Sequence, residues 1–123
     1  MIPALAQPAP SSDTADADAA LRRVGVDPGA VRAALALFPV ARVDVFGSVL
    51  TEGFGEHSDI DLLVEFRPDF RRTWGDMLRI EDAVEAVARR KIHATSRRGV
   101  EQSANPVRRE LILGSARPLH VAP

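Results

Sequence analysis

Residues 59–66 constrain the fold more than any other part of the chain. They read Asp-Ile-Asp-Leu-Leu-Val-Glu-Phe, a mostly apolar segment of the length typical of a β-strand. Because successive side chains of a strand point to opposite faces, every second residue is expected to share one buried face: Ile60, Leu62, Val64 and Phe66. Asp59 and Asp61 are then expected to project together from the opposite face.

The rest of the chain alternates helical and strand patterns. An N-cap followed by proline predicts a helix from Asp27-Pro28 to Pro39, and Thr73 with Asp76 predicts a capping box for a helix to about residue 90. A last helix is predicted from 105 to 114, and further strands at 43–46, 91–96 and 119–121. The order predicts an α/β or α+β domain with a small mixed sheet of three to four strands flanked by helices.

Length and composition favour one folded domain. The chain has 123 residues, of which 46% are hydrophobic, enough for one modest core. The first twenty residues are mostly Ala, Pro, Ser and Asp and cannot bury enough apolar surface to offset chain entropy. We therefore expect a disordered tail over 1–20 and one folded domain over 21–123.

Several classes of protein are excluded by what the sequence lacks. It contains no cysteine, which excludes disulfides, zinc-thiolate sites and a cysteine nucleophile. It also contains no apolar run of eighteen residues and no signal-peptide pattern, so no membrane association is expected. These features fit a cytoplasmic protein.

Asp59 and Asp61 are the first candidate site residues. One intervening residue on a strand places both carboxylates on the same side, with Cα atoms about 6.5 Å apart. Mg²⁺ prefers a few carboxylates together with water and substrate phosphates, so the pair suits a metal-bound nucleotide. The competing interpretation is a strand with one solvated face.

Gly47 and Ser48 are the second candidate. They follow the strand predicted at 43–46 and precede a predicted helical turn, where backbone N–H groups and a hydroxyl can hold a phosphate oxygen. An ordinary tight turn would use the same residues. The spacing of Gly-Ser, ten residues and Asp-Ile-Asp is more informative than either pair alone.

The stretch VDVFGSVLTEGFGEHSDIDLLVEF resembles the centre of minimal nucleotidyltransferase (MNT) domains of the polymerase-beta-like nucleotidyltransferase superfamily. The resemblance covers about residues 25–121, and its bacterial members include antitoxins of HEPN ribonucleases. It implies transfer of AMP from ATP to a hydroxyl of a HEPN-type toxin, a tyrosine in such pairs. It further implies that Gly47 and Ser48 bind the nucleotide, and that Asp59 and Asp61 are catalytic ligands of Mg²⁺ (or Mn²⁺).

Two departures from the family pattern concern the same site. The superfamily has a third carboxylate on a neighbouring strand where this chain has His93, and imidazole is a poorer Mg²⁺ ligand without negative charge. The family usually continues after Gly-Ser with a small residue, Arg and Gly, whereas this chain has Leu50, Thr51 and Glu52. The sequence therefore predicts a Mg-dependent nucleotidyltransferase with a degenerate third metal ligand.

Two other functions stay open. The first is a catalytically impaired pseudoenzyme that neutralises its partner by binding alone. The second is RNA binding through the basic residues 89–123. This segment has eight Arg and Lys against two Glu, a net charge of +6, whereas residues 1–88 have eight Arg against fifteen Asp and Glu, a net charge of −7. That basic third lacks the interleaved aromatic residues of single-strand binders, so direct nucleic-acid binding is not expected.

Overall fold

A computed structural model describes residues 14–71 and 73–123. Within them the chain forms five α-helices, one 3₁₀ turn and four strands. The helices are α1 (Ala15–Arg23), α2 (Pro28–Leu35), α3 (Trp74–Ala88), α4 (Arg97–Glu101) and α5 (Pro106–Ser115). The strands are β1 (Val40–Phe46), β2 (Ile60–Phe66), β3 (Ile92–Ser96) and β4 (Arg117–Val121), and the 3₁₀ turn is Gly47–Leu50.

The four strands form one mixed sheet in the order β3-β2-β1-β4. β1 pairs antiparallel with both β2 and β4, while β2 and β3 run parallel. The parallel pair requires a crossover, which α3 provides. The predicted fold class, a small mixed sheet flanked by helices, is confirmed.

Helix starts follow the capping residues in the sequence. The Asp27 side chain accepts a hydrogen bond from the Gly29 backbone N–H at the start of α2, and Asp76 accepts one from the Thr73 N–H in the capping box of α3. Asn105 accepts from the Arg108 N–H at the start of α5. These bonds satisfy N–H groups that have no partner inside the helix.

Each face of the sheet has its own apolar cluster. The larger cluster places α1, α2 and α3 against residues of all four strands, with Leu21, Leu35, Ile80 and Val84 fully buried. The smaller one packs Leu63 of β2 against α4 and α5. The second face is therefore only partly covered, and the polar residues of β2 lie on it.

The boundary expected at residue 21 is corrected by α1, which begins at Ala15. Ala17 and Ala20 are buried together with Leu21, because small residues at helical spacing let α1 lie close to the sheet. Residues 15–20 therefore belong to the folded domain and not to a tail. The other expected tail residues within 1–13 lie outside the described part of the chain.

Other boundaries differ by smaller amounts. β1 and β4 begin earlier than predicted, and α4 was not predicted at all. On α3, Ile80, Val84 and Ala88 are buried, whereas Val87 is 41% exposed. No helix in the described residues is long and apolar enough to cross a membrane.

Candidate functional site

The Gly47-Ser48 turn lies where β1 ends. Gly47 has φ of +80°, in the left-handed region that favours glycine, and it begins the 3₁₀ turn that reverses the chain. A β-carbon on Gly47 would lie 2.5 Å from Asp61 Oδ2, closer than any real contact. The turn is therefore pressed directly against the Asp61 carboxylate, and only glycine allows this approach.

Asp61 lies at the centre of the candidate site because of the strand register. It is opposite Phe46, the residue before Gly47, on the β1 side and opposite His93 on the β3 side. Its side chain is 26% exposed. Asp59 is exposed and precedes β2 by one residue, so it lies just outside the ladder.

The electrostatics of Asp61 are those of a partly buried carboxylate with a like-charged neighbour. Burial raises the pKa of Asp61 above its ordinary value of 3.8, the hydrogen bond and charge of His93 lower it, and the charge of Asp59 raises it. The net direction of the pKa is upward, so the carboxylate is less favourable there than in water. A cation bound between Asp59 and Asp61 would relieve both the burial and the repulsion.

His93 lies on β3 in register with Asp61. Its Nδ1 lies 3.4 Å from Asp61 Oδ1, and 61% of its side chain is exposed. Within residues 14–71 and 73–123, no three His, Cys, Asp or Glu side chains are placed to hold one ion. Asp59 and Asp61 alone still fit Mg²⁺, which commonly takes one or two carboxylates and completes its shell with water and substrate phosphates.

The side chain of Thr51, in the segment after Ser48, forms hydrogen bonds within its own loop. The Thr51 hydroxyl donates to the Ser48 carbonyl at 2.8 Å and accepts from the Gly53 N–H at 3.0 Å. Glu52 is exposed beside it. Thr51 therefore stabilises the loop and carries no charge toward an anion, in agreement with the departure noted in the sequence.

Two clefts flank this centre. One, of about 610 Å³, opens beside Gly47 and Ser48 between α1, the 3₁₀ turn and α5. The other, of about 670 Å³, lies between α3 and β3 and is lined by His93 together with Met77 and Leu78. Gly47 lines the first cleft and His93 lines the second. Asp61 contacts both residues and therefore lies between the two clefts.

Sequence reasoning missed a buried charge cluster on the same face of the sheet. Asp44 of β1 is fully buried, with Arg42 Nε 2.6 Å from its Oδ1 and Arg97 Nη2 2.9 Å from its Oδ2. Arg97 Nε also faces Glu65 Oε1 at 3.7 Å. The cluster ties β1 to the start of α4, and the aspartate within an apolar strand was the only sequence signal for it.

Two comparisons with known proteins find similarity over most of the chain. The family model described as "Nucleotidyltransferase domain" matches residues 30–117. A solved structure described as "Structure of putative minimal nucleotidyltransferase" is 36% identical, with a TM-score of 0.59, over 74% of this chain and 87% of that one. Among curated proteins no match is found.

Proposed function

The chain belongs to the nucleotidyltransferase domain family, and from this premise we propose that it transfers AMP from ATP to a hydroxyl group of a partner protein. The observation that carries the proposal is the contact between the Gly47 turn and the Asp61 carboxylate. This contact supports the proposal because the turn offers backbone N–H groups to a phosphate and the carboxylate beside it is a group that Mg²⁺ prefers. In the proposed site Gly47 and Ser48 bind the phosphates, and Asp59 and Asp61 hold Mg²⁺ or Mn²⁺.

The proposed reaction exchanges a phosphoanhydride bond of ATP for a phosphoester bond to the acceptor and releases pyrophosphate. The acceptor oxygen forms a bond to the α-phosphorus, the bond from that phosphorus to the pyrophosphate oxygen breaks, and the hydroxyl proton leaves to solvent. A bound metal ion supplies charge neutralisation and polarises the acceptor oxygen. The chain's own residues position the phosphates at the turn and keep the Asp61 carboxylate directly against it.

The proposed acceptor is a tyrosine of a HEPN-type toxin, which makes this chain the antitoxin of a pair acting in the cytoplasm. Support comes from the resemblance of the Gly-Ser and Asp-Ile-Asp segment to the MNT members of such pairs. The chain itself contains no tyrosine. A tyrosine-linked AMP found in a mixture with a partner would therefore belong to that partner.

A second candidate function is neutralisation of the partner by binding alone. His93 favours it, because the described residues include two carboxylates at the site and no third. In that case the nucleotide site would be residual. The two candidates differ in whether the site still binds a metal nucleotide.

A calorimetric titration of the chain with ATP, with and without Mg²⁺ or Mn²⁺, tests the proposal. Metal-dependent binding that is lost in the Asp59→Asn, Asp61→Asn double variant supports the transferase. The matched control is Asp82→Asn, an exposed carboxylate of α3 away from the site. No binding by the folded parent would contradict the transferase and favour the binding-only function.

A further inference from the structure

We propose that Arg23 and Arg117 supply the positive charge that holds the nucleotide phosphates beside Gly47 and Ser48, and that Asp16 competes with those phosphates for Arg117. The inference rests on the proposed function and identifies residues outside the motif. The sequence segment that usually carries an arginine in this family has Thr51 there. Any positive charge that binds phosphates beside this turn must then come from elsewhere in the fold.

The cleft beside the Gly-Ser turn brings these groups together. Its walls come from α1, the 3₁₀ turn, the end of α5 and the start of β4, with Asp16, Arg23 and Arg117 as its charged lining residues. Gly47, Ser48 and Thr51 line the same cleft. Two guanidinium groups against one carboxylate leave an excess of positive charge beside the proposed phosphate site.

Arg23 is anchored on the turn itself. Its Nη2 donates to the Val49 carbonyl at 3.1 Å, inside the 3₁₀ turn that begins at Gly47. A guanidinium has five N–H donors, so this bond fixes the side chain without exhausting its donors. Arg23 is thus held beside the proposed phosphate site before an anion binds. Binding then costs less side-chain conformational entropy than it would with a freely moving arginine.

Arg117 is anchored from the opposite wall. Its Nη1 donates to the carbonyls of Gly114, Ser115 and Ala116 at 3.0–3.3 Å, where α5 ends. Its Nε faces Asp16 Oδ2 at 3.5 Å, and the Asp16 side chain is 76% exposed. An exposed ion pair contributes little stability, so a phosphate can replace Asp16 at small cost.

The test measures binding of MgATP and, without metal, of inorganic tripolyphosphate, by calorimetry on the full chain. Arg23→Gln and Arg117→Gln are each expected to weaken both ligands about tenfold, the effect of losing one charge-assisted hydrogen bond. Asp16→Asn is expected to tighten both severalfold, because it removes the competing carboxylate. Arg117→Lys, which keeps the charge, should recover part of the loss.

Arg22→Gln is the matched control, since Arg22 lies on the same helix, is exposed and does not line the cleft. Thermal unfolding of each variant shows whether the fold is intact. If the parent binds MgATP and the Arg23, Arg117 and Asp16 variants bind as the parent does, the inference is overturned and the proposed function stands. If the parent binds neither ligand, both are overturned.

Discussion

Gly47 has two separate reasons to be glycine, its positive φ and the Asp61 carboxylate against its α-carbon. Gly47→Ala is expected to lower the free energy of unfolding by about 1–3 kcal/mol through backbone strain, with a further loss from the collision. It should also abolish nucleotide binding, because Asp61 must move. Urea denaturation and the ATP titration measure the two effects.

Two other glycines serve as controls that distinguish backbone strain from collision with the Asp61 carboxylate. Gly25 has φ of +82° with open space around it, and Gly114 lies in α5 with neither constraint. Gly25→Ala should therefore lose stability but keep nucleotide binding, and Gly114→Ala should keep both. Equal losses for Gly47→Ala and Gly25→Ala would show that the approach to Asp61 has no consequence.

His93 is the residue at which the site can be improved. His93→Asp places a carboxylate in register with Asp61, so without metal it should lower the melting temperature by like-charge repulsion. With Mg²⁺ the melting temperature should recover, and MgATP should bind about tenfold more tightly, or ~1.4 kcal/mol. Differential scanning fluorimetry with and without Mg²⁺ measures the first effect, and calorimetry the second.

His93→Asn is the control, because it replaces the ring without adding charge. If His93→Asp and His93→Asn respond to Mg²⁺ in the same way, the position has no part in metal binding. A folded His93→Asp variant that binds its partner but transfers no more AMP than the parent would favour the binding-only function.

At this scale the sequence predicted the position of the candidate residues. The structure places Gly47-Ser48 at the end of β1, and Asp61 on the next strand with His93 beside it. Their catalytic role stays a prediction. The pairing of Asp44 with Arg97 and the positions of Arg23 and Arg117 beside the turn could not be predicted. They depend on which helix covers which face, and local patterns do not contain that information.

Among the elements, α1 differs most from the sequence prediction, because it extends the folded domain to residues before the expected boundary at 21. Leu21→Ala is expected to destabilise the protein by about 2–5 kcal/mol, because the side chain is 1% exposed within the main core. Chemical denaturation measures the change. It tests whether α1 is an integral part of the domain, as its buried alanines indicate.

Leu37→Ala is the matched control, since Leu37 is 83% exposed and should change the free energy of unfolding by less than about 0.5 kcal/mol. If the two leucine variants were equally stable, α1 would be dispensable for the fold.

Elements with strong local signals were predicted, and those that depend on tertiary contacts were not. The caps at Asp27, Thr73 and Asn105 fix three helix starts within the sequence itself. By contrast α4 has five residues and begins at the Ser96 cap directly after β3. Such a short helix has little stability of its own and depends on burial of Val100 against the sheet.

For the whole molecule, pH affects stability through His120 on β4. Burial, and then the charges of Arg32 and Arg67, lower the pKa of His120 below its ordinary value of 6.5. The unfolded chain therefore binds the proton at a higher pH than the folded one, so His120 lowers the free energy of unfolding as pH falls below about 6.5. The effect should stay below about 1 kcal/mol, since the ring is only partly buried.

Urea denaturation of the parent and of His120→Gln between pH 5 and 8 measures this. The parent should lose stability toward acid more steeply than the variant. His57→Gln, at an exposed position, should keep the slope of the parent. Identical slopes for all three proteins would show that folding does not lower the pKa of His120.

The arrangement of the sheet also has a consequence for synthesis. β1 lies inside the sheet, but one of its two partners, β4, is the last of the four described strands in chain order. Until residue 121 has left the ribosome, β1 presents an unpaired edge and the core lacks Leu119. The domain therefore cannot complete its sheet before residue 121 has emerged from the ribosome, and until then the open edge of β1 can pair with strands of other chains.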